Sequence, residues 1–371
     1  MKTKAAVLWG LNEPWKIEEL ELGDPVAGEV KVKLAASGLC HSDEHLVTGD
    51  IPAAMPVVGG HEGAGVVEAV GPGVTSVKEG DHVVLGFIPS CGRCKMCATG
   101  HQNLCDLGAM LMGGVSLADG THRFKTDSGQ GVGTMCLLGT FSPYTVVHES
   151  SVIKIDDDIP LDKAALVGCG VTTGWGSAVY AAEVQPGDTV VVVGVGGIGA
   201  NVIQGAKLSG AKWIVAVDPV EFKREQAQEL GATHTAESID KAFALVNDIT
   251  WGQLADKAII TTGVATGDLV APTMGLVSKG GRVVVTAVAP FLQSDVKLSL
   301  FELTLFQKEL RGSIFGSANP RADIPKLLSL YREGLLKLDE LVTRTYKLED
   351  INQGYQDMRD GKNIRGVVVY D

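Results

Sequence analysis

Residues 189–199 read TVVVVGVGGIG, a run of β-branched residues that passes directly into glycines at 194, 196 and 199. An uninterrupted run of this kind suits a parallel strand buried on both faces. Glycines at that spacing turn a strand sharply into a helix. The alternation continues downstream, with IGANVIQGAKLSGA reading as helix, WIVAVD as strand and EFKREQAQELGA as helix. KAIITTG follows as strand, then a helix before SKGG, then RVVVTAV as strand. Regular alternation specifies a doubly wound parallel α/β sheet with right-handed crossovers.

The glycine pattern carries a second implication, because it stands between a strand and a helix and has an acid where one is needed. Asp218 closes WIVAVD, 24 positions after Gly194. In a Rossmann unit, Gly194 permits the tight turn, Gly196 lets the backbone approach a pyrophosphate, and Gly199 permits close packing of helix on strand. Gly197 and Ile198 open the helix, whose free N–H groups and positive end face the phosphates. Asp218 would accept hydrogen bonds from the adenosine ribose and repel a 2′-phosphate, which favours NAD over NADP. Lys223, five positions further on, is expected to reach the same ribose.

The first 150 residues have a different texture. Short β-rich runs (EVKVKLAASG, GAGVVEAVG, DHVVLGFIP, YTVVHE) alternate with glycine-rich turns, as in a mostly antiparallel, barrel-like domain. The helix IPKLLSLYREGLL and the strand RGVVVYD come after the sheet segment and are expected to rejoin that first domain. The expected boundaries are therefore 1–170 with 315–371 for one domain and 171–314 for the Rossmann domain inserted into it. A length of 371 residues suits two cores. A net charge of −12 argues against a nucleic-acid partner. The N-terminal stretch lacks the apolar run of a signal peptide, and no run is long enough for a membrane span, so a cytoplasmic location is expected.

Seven cysteines, an odd number, then read as reduced thiols. Cys91, Cys94, Cys97 and Cys105 follow C-x2-C-x2-C-x7-C, a spacing that lets one loop wrap a tetrahedral zinc. Four thiolates leave no open position, so this site is structural. Cys40, His61 and Cys169 lie in CHSDEH, GGHEGAG and GCGVTTG, each beside residues that let the backbone bend closely. Together they form a three-ligand set with a vacant fourth position, the pattern of a catalytic zinc.

On GHEGAGVVEAVGPGV, the four-cysteine lobe, GCGVTTGWGSAV and GVGGIG, the chain resembles the zinc-dependent medium-chain alcohol dehydrogenases along nearly its whole length. LLGTFSPYTVV and KNIRGVV point to the actinobacterial nicotinoprotein branch, whose members hold NAD tightly. The resemblance implies a GroES-like catalytic domain carrying two zincs per chain. It implies that Asp43 and Glu62 stand behind the ligands and that Ser42 takes the alcohol proton, which His45 passes on. It further implies that His41 and Arg365 meet the pyrophosphate, that Thr173 packs on the nicotinamide, and that Phe87 walls the substrate pocket. Cys136 matches no ligand position.

The expected activity is hydride transfer between a small alcohol's carbinol carbon and NAD, with an external electron acceptor where NAD stays bound. Thiol-adduct formaldehyde dehydrogenases share these motifs but carry an arginine where Ala109 stands. Polyol dehydrogenases typically carry glutamate at the Cys169 position, and a non-catalytic zinc and NAD-binding protein would have lost Cys40, Ser42, His45 or Cys169. By the same resemblance the subunits pair as a homodimer through a cofactor-domain sheet edge, for which RVVVTAV followed by APFL is the candidate.

Overall fold

The valine run Thr189–Val193 lies at the centre of a six-stranded sheet, parallel to Trp213–Val217 on one side and Ala255–Ile260 on the other. The order is His234–Ala236, Trp213–Val217, Thr189–Val193, Ala255–Ile260, Val277–Val285, Glu309–Gly312, parallel throughout. This is the doubly wound order, in which the chain starts in the middle and winds outward in both directions. It explains the residue choice, since Val191, Val215, Ala258, Ile260 and Val283 meet in one buried cluster.

The sheet corrects one expectation. The first four residues of RVVVTAV lie in Val277–Val285, which pairs on both sides, and the edge is the polar strand Glu309–Gly312. An apolar run marks a strand covered by neighbours; an edge strand needs no such run.

The structure, a computed structural model, describes all 371 residues. They divide into two compact units, Met1–Cys169 with Asn319–Asp371, and Gly170–Ala318. The first unit contains a closed barrel of Lys2–Leu8, Lys16–Leu22, Phe124–Lys125, Gly131–Thr134 and Val57–Val58. It also contains a seven-stranded sheet around Glu29–Gly38, which pairs with Gly63–Val70, Tyr144–His148 and Arg365–Val369. Alternate residues Val30, Val32 and Leu34 enter one core with Val67, Val83, Leu85 and Val147. On the same strand, buried Glu29 accepts from Arg123 Nε at 2.7 Å, tying the long segment after Cys105 to the sheet.

After the second unit, the chain forms helices Pro320–Arg332 and Ile351–Arg359, then strand Arg365–Val369. That strand pairs with Ala36–Gly38, while Ser37 pairs with Gly63 on the other side. The returning segment therefore buttresses the strand ends that carry Cys40, His61 and Glu62. No helix is long and apolar enough to cross a membrane.

Candidate active site and metal centres

All seven cysteines are free thiols. Cys91, Cys94, Cys97 and Cys105 bring their sulfurs within 4.8 Å of one another. Cys91 and Cys97 Sγ are 4.0 Å apart, and Cys94 and Cys105 Sγ 3.9 Å. Four sulfurs around zinc at about 2.3 Å stand about 3.8 Å apart, whereas a disulfide requires about 2.05 Å. The two-residue spacers allow each turn to close on a sulfur. Cys94 N–H donates to Cys91 Sγ at 3.3 Å, and Cys97 N–H to Cys94 Sγ at 3.4 Å. Burial raises the Cys91 thiol less than the N–H groups of Arg93 and Cys94 lower it, leaving it at about 6. Burial pushes Cys105 up to about 12. Four sulfurs this close need a cation before all can ionise, so the donor set fits zinc.

The second cluster is assembled from distant parts of the first unit: Cys40, His61, Glu62 and Cys169 place ligand atoms within 4.8 Å, all buried. Cys40 begins helix His41–Thr48, whose positive end favours a thiolate. His61 and Glu62 precede strand Gly63–Val70, and Cys169 follows the short helix Ala165–Gly168. A hydrogen bond between the two thiols holds Cys40 well below, and Cys169 well above, the ordinary thiol value. Two buried thiolates need a cation to coexist. His61 supplies a neutral donor, because its buried Nε2 has no hydrogen-bond partner. The set therefore fits zinc. Cys136 is buried nearby in sequence to neither cluster and joins neither.

Asp43 stands behind His61, and Glu62 lies within the cluster with its carboxylate on Arg365. Asp43 Oδ1 is 3.2 Å from His61 Nδ1, and Cys40 N–H donates to Asp43 Oδ2 at 3.1 Å. The carboxylate fixes the tautomer that leaves Nε2 for a metal. Burial pushes Glu62 up to about 7 against the pull of Arg365, whose Nη2 donates to its carboxylate. Arg365 also donates to the Leu39 carbonyl at 3.0 Å and is 3% exposed, so this arginine helps hold the cluster itself.

Helix His41–Thr48 carries the polar residues beside the cluster. Ser42 Oγ lies 3.7 Å from Cys40 Sγ. His45 is three residues on, hence on the same helix face. His41 packs edge-on against His45 at 5.2 Å between ring centroids. His45 Nδ1 is 2.9 Å from Asp50 Oδ2, a partner that the sequence reading missed. Phe87 meets His61 edge-on, with centroids 5.9 Å apart.

The glycine loop of the second unit has the shape a dinucleotide needs. Gly194 has φ 95°, and a Cβ on Gly199 would lie 2.0 Å from Gly194 O. A Cβ on Gly196, by contrast, would meet nothing within 4 Å, so the backbone there borders open space. Gly197 and Ile198 begin helix Gly197–Leu208, whose cap residue Gly196 offers no side-chain bond to the free N–H groups. Asp218 accepts from Val195 N–H and Val220 N–H, both at 2.9 Å, so the acid also anchors the loop. Beside Lys223, Arg224 Nη1 donates to the carbonyls of Asp218 and Pro219 at 2.8 and 2.9 Å. Thr173 Oγ1 is buried without a partner, as a group awaiting a ligand would be.

Comparison with known proteins agrees with this geometry. Residues 26–157 match the alcohol dehydrogenase GroES-like domain and residues 197–333 the zinc-binding dehydrogenase domain. Alcohol dehydrogenase B of Mycobacterium tuberculosis is 55% identical over 371 residues, covering 100% of this chain and 99% of the relative. The NDMA-dependent alcohol dehydrogenase of Amycolatopsis methanolica is 56% identical over 370 residues, with 100% and 99% covered. The crystal structure of benzyl alcohol dehydrogenase from Acinetobacter calcoaceticus superposes with a TM-score of 0.91 at 31% identity, covering 100% of both chains. With the ligand sets, the glycine loop and full-length similarity all in agreement, this chain belongs to the zinc-dependent medium-chain alcohol dehydrogenases.

Proposed function

We propose that the protein interconverts alcohols and aldehydes with NAD kept on the protein between turnovers, the reduced cofactor being reoxidised in place by an external acceptor. The observation that carries the catalytic half is the buried pair of thiols facing the unpartnered His61 Nε2. A zinc held by these side chains would make a bound alcohol more acidic, and a bound NAD would supply the hydride acceptor. Cys40, His61 and Cys169 are the ligands in this reading, and Cys91, Cys94, Cys97 and Cys105 hold a second, structural zinc. Ser42 Oγ receives the proton and His45 relays it outward, with Asp50 fixing the imidazole. Phe87, against His61, forms an apolar wall for the substrate carbon. His41 and Arg365 serve the pyrophosphate and Thr173 the nicotinamide.

The likeness to an NDMA-dependent enzyme supports retention of the cofactor. Denaturing freshly purified protein should release close to one dinucleotide per chain, and alcohol should bleach an acceptor dye with no NAD added. Protein that emerges empty and works only with added NAD would overturn retention and leave the zinc chemistry standing.

Cofactor choice rests on Asp218. Asp218→Gly should shift the ratio of NADH to NADPH dissociation constants toward NADPH by about thirtyfold, equivalent to ~2 kcal/mol of relieved repulsion. NADH itself should also bind more weakly, because Val195 N–H loses its acceptor. Nicotinamide fluorescence titration measures both, and an unchanged ratio would mean that Asp218 serves only the loop.

For assembly we infer a homodimer that continues the parallel-sheet unit across the Glu309–Gly312 edge. In the segment that leads into that edge strand, Phe291, Leu300, Phe301 and Leu305 are each more than 60% exposed. Such a surface is covered most simply by its own copy about a two-fold axis. Light scattering at micromolar concentration should give twice the 38.9 kDa chain mass, and Phe301→Glu with Leu305→Glu should halve it. A monomeric parent protein would refute the pairing.

A further inference from the structure

Asp43 is fully buried and accepts four hydrogen bonds. Three come from its own neighbourhood: Cys40 N–H at 3.1 Å, Gly60 N–H at 3.3 Å and His61 Nδ1 at 3.2 Å. The fourth and shortest, at 2.7 Å, comes from the hydroxyl of Tyr355, 312 residues along the chain. We propose that Tyr355 is a positioning residue for the catalytic zinc, acting through Asp43 on His61. The inference rests on the metal assignment proposed above.

The argument is one of geometry and electrostatics. Tyr355 lies on helix Ile351–Arg359, is 1% exposed, and has no freedom to turn away. Trp15 stacks on it with centroids 6.2 Å apart, and Phe141 meets it at 6.3 Å. Asn352 clamps Trp15 from the same helix, donating to its carbonyl at 2.9 Å and accepting from its N–H at 3.0 Å. The phenol thus reaches Asp43 from a rigid platform.

A buried carboxylate with four donors is held in one orientation. Removing the Tyr355 bond frees Oδ2 to rotate about the remaining Cys40 contact. Oδ1, the oxygen that orients His61, then moves with it. The imidazole loses alignment, although every ligand and the Asp43 carboxylate remain. Outer partners of this kind commonly change metal affinity ten- to a hundredfold.

Tyr355→Phe removes one oxygen from a packed ring and leaves its aromatic contacts intact. Tyr346→Phe is the control, because Tyr346 OH also donates to a carboxylate, Asp357 Oδ2 at 2.9 Å, on the same returning segment. Zinc transfer from purified enzyme to a chromophoric chelator should show one zinc per chain leaving about tenfold faster in Tyr355→Phe. The second zinc should leave at the parent rate, and Tyr346→Phe should leave both rates unchanged. After cobalt exchange, Tyr355→Phe should also shift the visible ligand-field bands of the catalytic ion alone. Parent-like release and spectrum in Tyr355→Phe would overturn the proposal, as would equal acceleration in the two variants. A parent protein with fewer than two zincs would instead overturn the metal assignment on which the proposal stands.

Discussion

Cys169→Ser should yield a folded protein that carries one zinc per chain and turns over alcohol about a thousandfold more slowly. The rate loss corresponds to ~4 kcal/mol of transition-state stabilisation, the scale of charge stabilisation that a catalytic metal supplies. Cys169 is 5% exposed in a cluster whose two sulfurs form mutual partners, so serine removes a ligand and also the thiol partner of Cys40. The fold should survive, because the surrounding short helices pack through Leu166, Val167 and Val171, each 0% exposed. Elemental analysis, circular dichroism and steady-state kinetics on one preparation check the three parts. Two retained zincs with normal turnover would remove Cys169 from the catalytic set.

Cys97→Ser should do the opposite: it should lower stability and solubility first and affect turnover only as the fold is lost. The lobe from Cys91 to Cys105 has one four-residue helix and a single turn of 3-10 helix, so its conformation depends on what its sulfurs bind. Apparent zinc-binding energies in small Cys-rich modules reach about 10–16 kcal/mol, and that energy is folding energy. Losing only ~4 kcal/mol of it would lower the melting temperature by roughly 10 °C in a domain of this size. A calorimetric scan of the two variants side by side separates the roles. If both lost only activity, the division into a closed and an open site would be wrong.

The sequence was legible where its signals are local. The Thr189–Val193 run, its glycines and Asp218 lie within thirty positions, and the four-cysteine lobe within fifteen. Each could be tested against a known chemical requirement. The barrel order was not legible, because strands such as Val57–Val58 and Phe124–Lys125 are two residues long and carry no periodicity. The edge strand was misread for a related reason. RVVVTAV is conspicuous because it begins in a strand with neighbours on both sides, while the edge ELRG is inconspicuous because it has a sheet neighbour on one side only. Asp50 and Tyr355 were missed because a hydrogen bond to a site residue leaves no pattern in sequence, even five positions from His45. Arg365 was singled out through the resemblance as a pyrophosphate residue, and its bond to Glu62 left no signal in the sequence.

The interrupted layout of the first unit also sets an order of events during synthesis. The Tyr355 brace and then strand Arg365–Val369, which completes the central sheet, emerge from the ribosome roughly 200 residues after Cys169. At usual elongation rates of roughly 5–20 residues per second, the gap is about 10–40 s. Throughout that interval the inserted sheet can fold as a unit, while the three proposed ligands Cys40, His61 and Cys169 wait on an unfinished scaffold. The four-cysteine lobe has all its ligands by residue 105 and can take metal early; the other centre is finished last. A nascent chain of this design therefore spends its most oxidation-sensitive period with Cys40 and Cys169 made but not yet enclosed.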